Sequence, residues 1–325
     1  MGFVIIILAG SLVFKNEIQT LLTLRKLENS KAYKLNYTGS YALDAYLEEG
    51  AESWDDVLDF LNQHLGKGVG KYIYKETGCS SFFARTPEGD YLLARNLDMI
   101  EAIPCVIQTQ SVEGYASYGV TDLMRGGFDE NESVTKLTAI SSPYYTLDGM
   151  NEHGLAIASA SVPYGKDQKL FEDEKAIHDI TVNRVILDKA KDVEEAIGVL
   201  EQYFVVMESK YPSHYMIGDA TGKCVVIEFK DGEMIILEMV DDYMISTNFV
   251  INSTRGEPSN VCERYARYDE SLSHLAKGIT EIKAMDLLKE NVIKGQSQWS
   301  VVYNLTKKTM TISFAVEPAI FQFLF

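Results

Sequence analysis

The stretch from Gly78 to Asp98 constrains this chain more than any other. Gly78-Cys79-Ser80-Ser81-Phe82-Phe83-Ala84-Arg85 and Tyr91-Leu92-Leu93-Ala94-Arg95-Asn96-Leu97-Asp98 are β-prone runs separated by a Pro87-Glu88-Gly89-Asp90 turn, which together predict a β-hairpin. In a hairpin the end of the second strand returns beside the start of the first, so Arg95 and Asp98 fall near Cys79. A guanidinium beside a thiol favours the thiolate, the reactive form of cysteine. A carboxylate there can orient an amine or an imidazole. A lone cysteine on a strand is more often a small core hydrophobe, so the chemical reading depends on the rest of the chain.

The chain has 325 residues, of which 46% are hydrophobic and 24% charged, enough for one large core or two smaller ones. A net charge of −17 argues against a nucleic-acid partner, whose surface needs basic clusters. Cys79, Cys105, Cys224 and Cys262 are widely spaced without a CxxC pair, and the histidines are scattered. Neither a disulfide framework nor a metal site is indicated, and no cofactor is implied. The apolar run Phe3–Phe14 is shorter than the roughly 20 residues of a comfortable membrane span. It suits a signal-peptide core or a shortened anchor over residues 1–14, and hence an extracytoplasmic, secreted or membrane-anchored protein, although no basic segment precedes it. The alternative is a buried strand in a cytoplasmic protein.

Residues 15–78 read as a mostly helical leader. Ser53-Trp54-Asp55-Asp56 has the form of an N-cap with an acidic first turn, Trp54, Leu58, Leu61 and Leu65 recur at helical spacing, and Gly66 and Gly68 end the pattern. Beyond Cys79, residues 104–111 and 135–141 read as strands, and Thr146–Pro163 as a hairpin around Asn151-Glu152-His153-Gly154. Helices are predicted over 176–190, 192–204, 260–275 and 281–290. Strands are predicted over 214–219, 223–230 and 233–239, with a last hairpin from Trp299 to Val316. The pattern by itself establishes an α+β protein.

Five motifs, in order, resemble the choloylglycine hydrolase family, which includes penicillin V acylases and bile salt hydrolases. Gly78-Cys79-Ser80-Ser81-Phe82 with Ala94-Arg95-Asn96-Leu97-Asp98 is the first. Asp148-Gly149-Met150-Asn151-Glu152-His153-Gly154-Leu155, Thr221-Gly222-Lys223 through Glu228, Thr247-Asn248, and Glu263-Arg264-Tyr265-Ala266-Arg267 follow. The resemblance covers about residues 79–316. It implies a four-layer αββα sandwich of two antiparallel sheets over 79–325, the N-terminal nucleophile (Ntn) hydrolase fold, in which the cysteine becomes the first residue of the mature chain. The long leader ending in Gly78-Cys79 is similar to the isopenicillin N acyltransferase and acid ceramidase branches, which cleave themselves at that bond.

Under this resemblance Cys79 is the nucleophile, and its freed α-amino group, with an ordinary pKa of about 7.7–8.0, is the base. Asp98 orients that amine and Arg95 favours the thiolate. Asn248 donates Nδ2 to the oxyanion, and Arg264 stabilises the site electrostatically. Ser161 stands where bile salt hydrolases carry Asn and penicillin V acylases Tyr, a position whose backbone N–H completes the oxyanion hole. The leading expectation is a hydrolase of linear, non-peptide C–N amides, acting on a small N-acyl amino acid or N-acyl amine through an acyl-Cys79 intermediate. The alternatives are an acyltransferase using the same residues, a Cys-His peptidase, and an uncleaved, non-catalytic surface binding protein.

Overall fold

The computed structural model describes residues 15–110, 112–163, 175–208, 212–230, 233–254, 256–275, 277–314 and 319–325. The apolar run over 1–14 lies outside them. Among the described residues no helix is long and apolar enough to cross a membrane.

Helix α1 (Lys15–Leu22) leads to strands β1 (Arg25–Lys26) and β2 (Tyr33–Tyr37), then helices α2 (Leu43–Glu49) and α3 (Trp54–His64). The central hairpin is β3 (Gly78–Arg85) with β4 (Tyr91–Asp98), followed by β5 (Pro104–Thr109), β6 (Ser117–Asp122), β7 (Asp148–Asn151), β8 (Ala156–Ser161) and β9 (Ala176–His178). Helices α4 (Val182–Lys189) and α5 (Val193–Leu200) come next. Strands β10 (Phe204–Val206), β11 (Ser213–Gly218), β12 (Cys224–Lys230), β13 (Glu233–Glu238) and β14 (Tyr243–Ser246) follow. Helices α6 (Glu263–Ser273) and α7 (Glu281–Glu290) precede β15 (Ser297–Asn304), β16 (Thr309–Phe314) and β17 (Ile320–Leu324).

Among the described residues, these strands make a nine-stranded sheet, β1-β2-β5-β6-β7-β8-β11-β12-β13, a six-stranded sheet, β14-β3-β4-β15-β16-β17, and a small β9–β10 ribbon. Within the two large sheets every pairing is antiparallel except that of β2 with β5. Strand alternation decides what each face buries. Cys79, Phe83, Leu93 and Leu97 face the other sheet, whereas Phe82, Ala84, Leu92 and Ala94 face α6 and α7. The outer face of the nine-stranded sheet packs on α2 to α5. The layers therefore run helix, sheet, sheet, helix, in an α+β chain as the motifs implied. At the tip of the β3–β4 hairpin, Thr86 N–H donates to Asp90 O at 2.7 Å, and Gly89 takes φ +99°, a conformation side-chain-bearing residues rarely adopt.

Three sequence readings need correction. The helix expected over 176–190 begins only at Val182, and Ala176–His178 forms β9, paired with β10. Residues 15–78 are not mostly helical. In β2, Leu35 and Tyr37 are buried and Asn36 exposed, a period-two pattern too short to stand out, and Leu35 pairs with Ile107 of β5. Leu35, Tyr37, Tyr46, Val57, Phe60 and Leu61 share one core with α4 and α5, so this segment is built into the sandwich. The strand expected at 135–141 belongs to a 3-10 helix, Ser133–Tyr145. Its hydroxyls bond back three residues, Thr138 Oγ1 to Thr135 O at 2.8 Å and Ser141 Oγ to Thr138 O at 2.7 Å. Such local bonds compete with a β-ladder. The helix cap at Ser53 is as expected: its side chain accepts from Asp56 N–H at 3.2 Å.

Candidate active site

The β3–β4 register sets Gly78 opposite Asp98, Cys79 opposite Leu97 and Ser81 opposite Arg95. Alternation then turns Cys79 and Arg95 toward the space between the sheets and Asp98 toward α6. Three atoms of Cys79 are each engaged by a different side chain. Arg95 Nη2 donates to Sγ at 3.1 Å, the Cys79 N–H donates to Asn248 Oδ1 at 2.7 Å, and the Cys79 carbonyl accepts from Arg264 Nη2 at 3.0 Å.

Each of those partners is itself fixed. Arg95 also donates to Ser159 O at 2.8 Å and to Leu147 O at 2.5 Å, and it forms an ion pair with Asp148. Asp148 further accepts from Trp299 Nε1 at 3.0 Å and Tyr303 OH at 2.5 Å. Burial by itself lowers the Arg95 pKa, but the Cys79 sulfur and then the Asp148 carboxylate outweigh it and raise the value above the ordinary one. Asp98 pairs with Arg264 and accepts from Ser297 Oγ. For Arg264 too, burial pulls the pKa down while Asp98 raises it further, so the net shift is upward. The Asp98 carboxylate lies against Gly78: a β-carbon there would sit 3.3 Å from Oδ2 and 3.2 Å from the Asp98 Cβ. Asn248 Nδ2 donates to Ser161 O at 2.8 Å. An amide nitrogen carries two hydrogens, so this bond leaves one for another acceptor.

The structure thus brings Cys79, Arg95, Asp98, Ser161, Asn248 and Arg264 into one hydrogen-bonded network. Sequence reasoning missed Asp148, the buried counter-ion of Arg95. Its signal was an acid opening the Asp148-Gly149-Met150-Asn151 strand in a chain with a buried arginine to neutralise. It also missed Thr77, whose Oγ1 is 2.8 Å from Ser161 Oγ. Among the described residues no histidine hydrogen-bonds to the Cys79 sulfur, so the Cys-His arrangement of a peptidase is not formed.

Residues 71–77, the segment that leads into Cys79, are tied down along their length. Ile73 N–H donates to Arg125 O at 2.7 Å. Arg125 donates to Tyr72 OH at 2.6 Å and to Lys75 O at 3.2 Å, and Lys75 Nζ lies 3.0 Å from the buried Asp122 carboxylate. Trp54 stacks on Tyr72 with ring centroids 4.0 Å apart. Beneath them a cavity of only about 40 Å³ remains, bounded by Trp54, Tyr72, Thr77, Ser159, Ser161 and Asn183. Cys79 is 1% exposed. Cys105 and Cys224 are buried with their thiol pKa values pushed up by burial, and Cys262 is half-exposed. A thiol alkylator is therefore expected to label Cys262 before the buried Cys79. Peptide mapping that finds Cys79 labelled before Cys262 would contradict this burial.

Known proteins share this architecture. The sequence profile of linear amide C–N hydrolases of the choloylglycine hydrolase family matches residues 79–249, just over half of the chain. A mutant of conjugated bile acid hydrolase from Clostridium perfringens superposes with a TM-score of 0.55 at 16% identity, covering 75% of this chain and 92% of that one. Penicillin V acylase from Agrobacterium tumefaciens gives 0.55 at 17% identity, over 75% of this chain and 85% of that one. At such identities the likeness is one of fold. An uncharacterized protein of Paramecium bursaria Chlorella virus 1 is 32% identical over 103 residues, 28% of this chain, and the chain spans 36% of the length of that relative. With more than half of its length matching the profile, the chain belongs to the choloylglycine hydrolase family of linear amide C–N hydrolases.

Proposed function

We propose that this chain is the precursor of an Ntn cysteine amidase. It cuts itself between Gly78 and Cys79 and then releases the acyl group of small N-acyl amino acids or N-acyl amines. In processing, Cys79 Sγ attacks the Gly78 carbonyl carbon, the C–N bond breaks as the C–S bond forms, and the thiol proton passes to the departing nitrogen. Water then hydrolyses the thioester, leaving a Gly78 carboxylate and a Cys79 with a free thiol and a free amine. In turnover that amine takes the thiol proton, since such a group titrates near neutral pH. Sulfur attacks the substrate carbonyl, the leaving amine departs with the proton, and water cleaves the acyl-Cys79.

The observation that carries this reading is the separate engagement of the Cys79 sulfur, nitrogen and carbonyl oxygen. Arg95 favours negative charge on sulfur. Asn248 Oδ1 already accepts from the nitrogen that becomes the base, and Asp98 beside Gly78 steadies the ammonium form. The second Nδ2 hydrogen of Asn248 and the backbone N–H of Ser161 serve the oxyanion. Arg264 holds the Cys79 carbonyl and neutralises Asp98. The leader is residues 15–78 and the catalytic part 79–325.

The test is amide turnover by self-cleaved protein on N-phenylacetylglycine and N-palmitoylglycine, with glycine release followed by chromatography. Asn248→Ala is expected to lower kcat by about 10²–10³, the usual cost of losing one oxyanion donor. Glycine release from both substrates by the Cys79→Ala protein at the wild-type rate would overturn the nucleophile assignment.

A further inference from the structure

The space between the sheets holds a second buried polar cluster, which the chemistry above does not use. His214 on β11 and Glu228 on β12 project from the nine-stranded sheet toward Ser246, the last residue of β14 in the opposite sheet. His214 Nδ1 lies 3.2 Å from Glu228 Oε1, and His214 Nε2 lies 2.8 Å from Ser246 Oγ. Glu228 Oε1 also accepts from Ile251 N–H at 2.7 Å, and its Oε2 from Asn252 N–H at 3.1 Å. The order serine, histidine, glutamate is that of a nucleophilic relay. His214 and Glu228 are 0% exposed and Ser246 is 1% exposed, so no substrate reaches this serine.

What the cluster does grip is the chain on either side of Asn248. Strand β14 is an edge strand paired only with β3, and its ladder ends at Ser246 opposite Ser81. Asn248 therefore lies beyond the last residue whose position the sheet dictates. Two residues before it, Ser246 is tied to His214; three and four residues after it, the backbone N–H groups of Ile251 and Asn252 are tied to Glu228. Both ties end on one hydrogen-bonded couple in the facing sheet. The two ring nitrogens of His214 take different partners, Nδ1 the Glu228 carboxylate and Nε2 the Ser246 hydroxyl, so the imidazole links the two ties.

We propose that His214 and Glu228 are positioning residues for Asn248. They set where its amide meets the Cys79 nitrogen and the Ser161 carbonyl, and so where its second Nδ2 hydrogen points. This rests on the reading of Asn248 as the oxyanion donor. Glu228→Gln keeps the size of the side chain but turns an NH₂ toward a backbone N–H, which loosens one of the two ties without opening a cavity.

The experiment is a double-mutant cycle on self-cleaved protein, with N-phenylacetylglycine or N-palmitoylglycine, whichever is turned over faster. Glu228→Gln is expected to lower kcat about tenfold with KM within about twofold, a coupling in the middle of the range for residues in one network. In an Asn248→Ala background the same change is expected to alter kcat less than about twofold, because the group it aims is gone. Ser246→Ala, which removes one oxygen and spares the His214–Glu228 couple, should show the same pattern at about threefold and serves where Glu228→Gln protein fails to accumulate. Equal losses in both backgrounds, or a loss expressed in KM, would overturn the positioning role while leaving the Asn248 assignment intact. An Asn248→Ala enzyme with undiminished kcat would instead overturn that assignment and this inference with it.

Discussion

Wild-type protein is expected to resolve into two chains on a denaturing gel, one ending at Gly78 and one beginning at Cys79, while Cys79→Ala runs as one. The reason is the requirement for a base. In the uncut chain the Cys79 nitrogen is a peptide N–H donating to Asn248, and the side chain set on the sulfur is the Arg95 guanidinium, which accepts no proton near neutral pH. Breaking the Gly78–Cys79 bond creates the missing amine. Glycine at 78 carries no side chain against attack, and Asp98 lies where a β-carbon there would point. On a sizing column the cut protein should elute with the uncut one. Leu35, Tyr37, Tyr46, Val57, Phe60 and Leu61 of the leader are buried in the core shared with α4 and α5, and burying six such side chains contributes on the order of 10 kcal/mol. Intact mass and N-terminal sequencing read both outcomes. Amide hydrolysis by protein whose Gly78–Cys79 bond remains whole would refute the mechanism.

Asp148→Ala is expected to cost about 3–5 kcal/mol of folding stability, the loss seen when one member of a buried ion pair is removed. Arg95 and Asp148 are 1% and 0% exposed, so the substitution leaves a guanidinium in the inter-sheet core without its counter-charge. It also leaves Trp299 Nε1 and Tyr303 OH without their acceptor. Replacing the pair together, as Arg95→Met with Asp148→Leu, should recover much of that loss, because neither charge is then desolvated alone. Urea unfolding checks both. A shift below about 1 kcal/mol for Asp148→Ala, the range of exposed pairs, would mean that water reaches Arg95. The double variant should still be slow in turnover, since the sulfur loses its Arg95 donor whatever the stability.

The local chemistry was legible in the chain because it depends on short-range spacing. The Pro87–Asp90 turn and period-two alternation determine that Arg95 returns to the face of Cys79, and the register of β3 with β4 follows from them. The Ser53 cap and the α5 start at Asp192 are equally local, since a side chain reaches only three residues to its backbone partner. The family motifs brought in Ser161, Asn248 and Arg264 from far along the chain. Their order alone says nothing about distance.

What only the tertiary structure decided is everything that crosses between layers. β2 looked unremarkable in sequence because five residues carry too little alternation to distinguish strand from loop, and its partner β5 lies some seventy residues on. In sequence Asp148 and Glu228 are motif acids with no assigned partner, and only the stacking of one sheet on the other turns the first into the counter-ion of Arg95 and sets the second on the backbone N–H groups after Asn248. The seating of residues 71–77 has the same origin. Tyr72 and Lys75 are ordinary surface residues until folding sets Arg125 and Asp122 beneath them. Periodicity and turn chemistry report which face a side chain takes on its own strand or helix, whereas the identity of the group across the gap depends on how the layers pack.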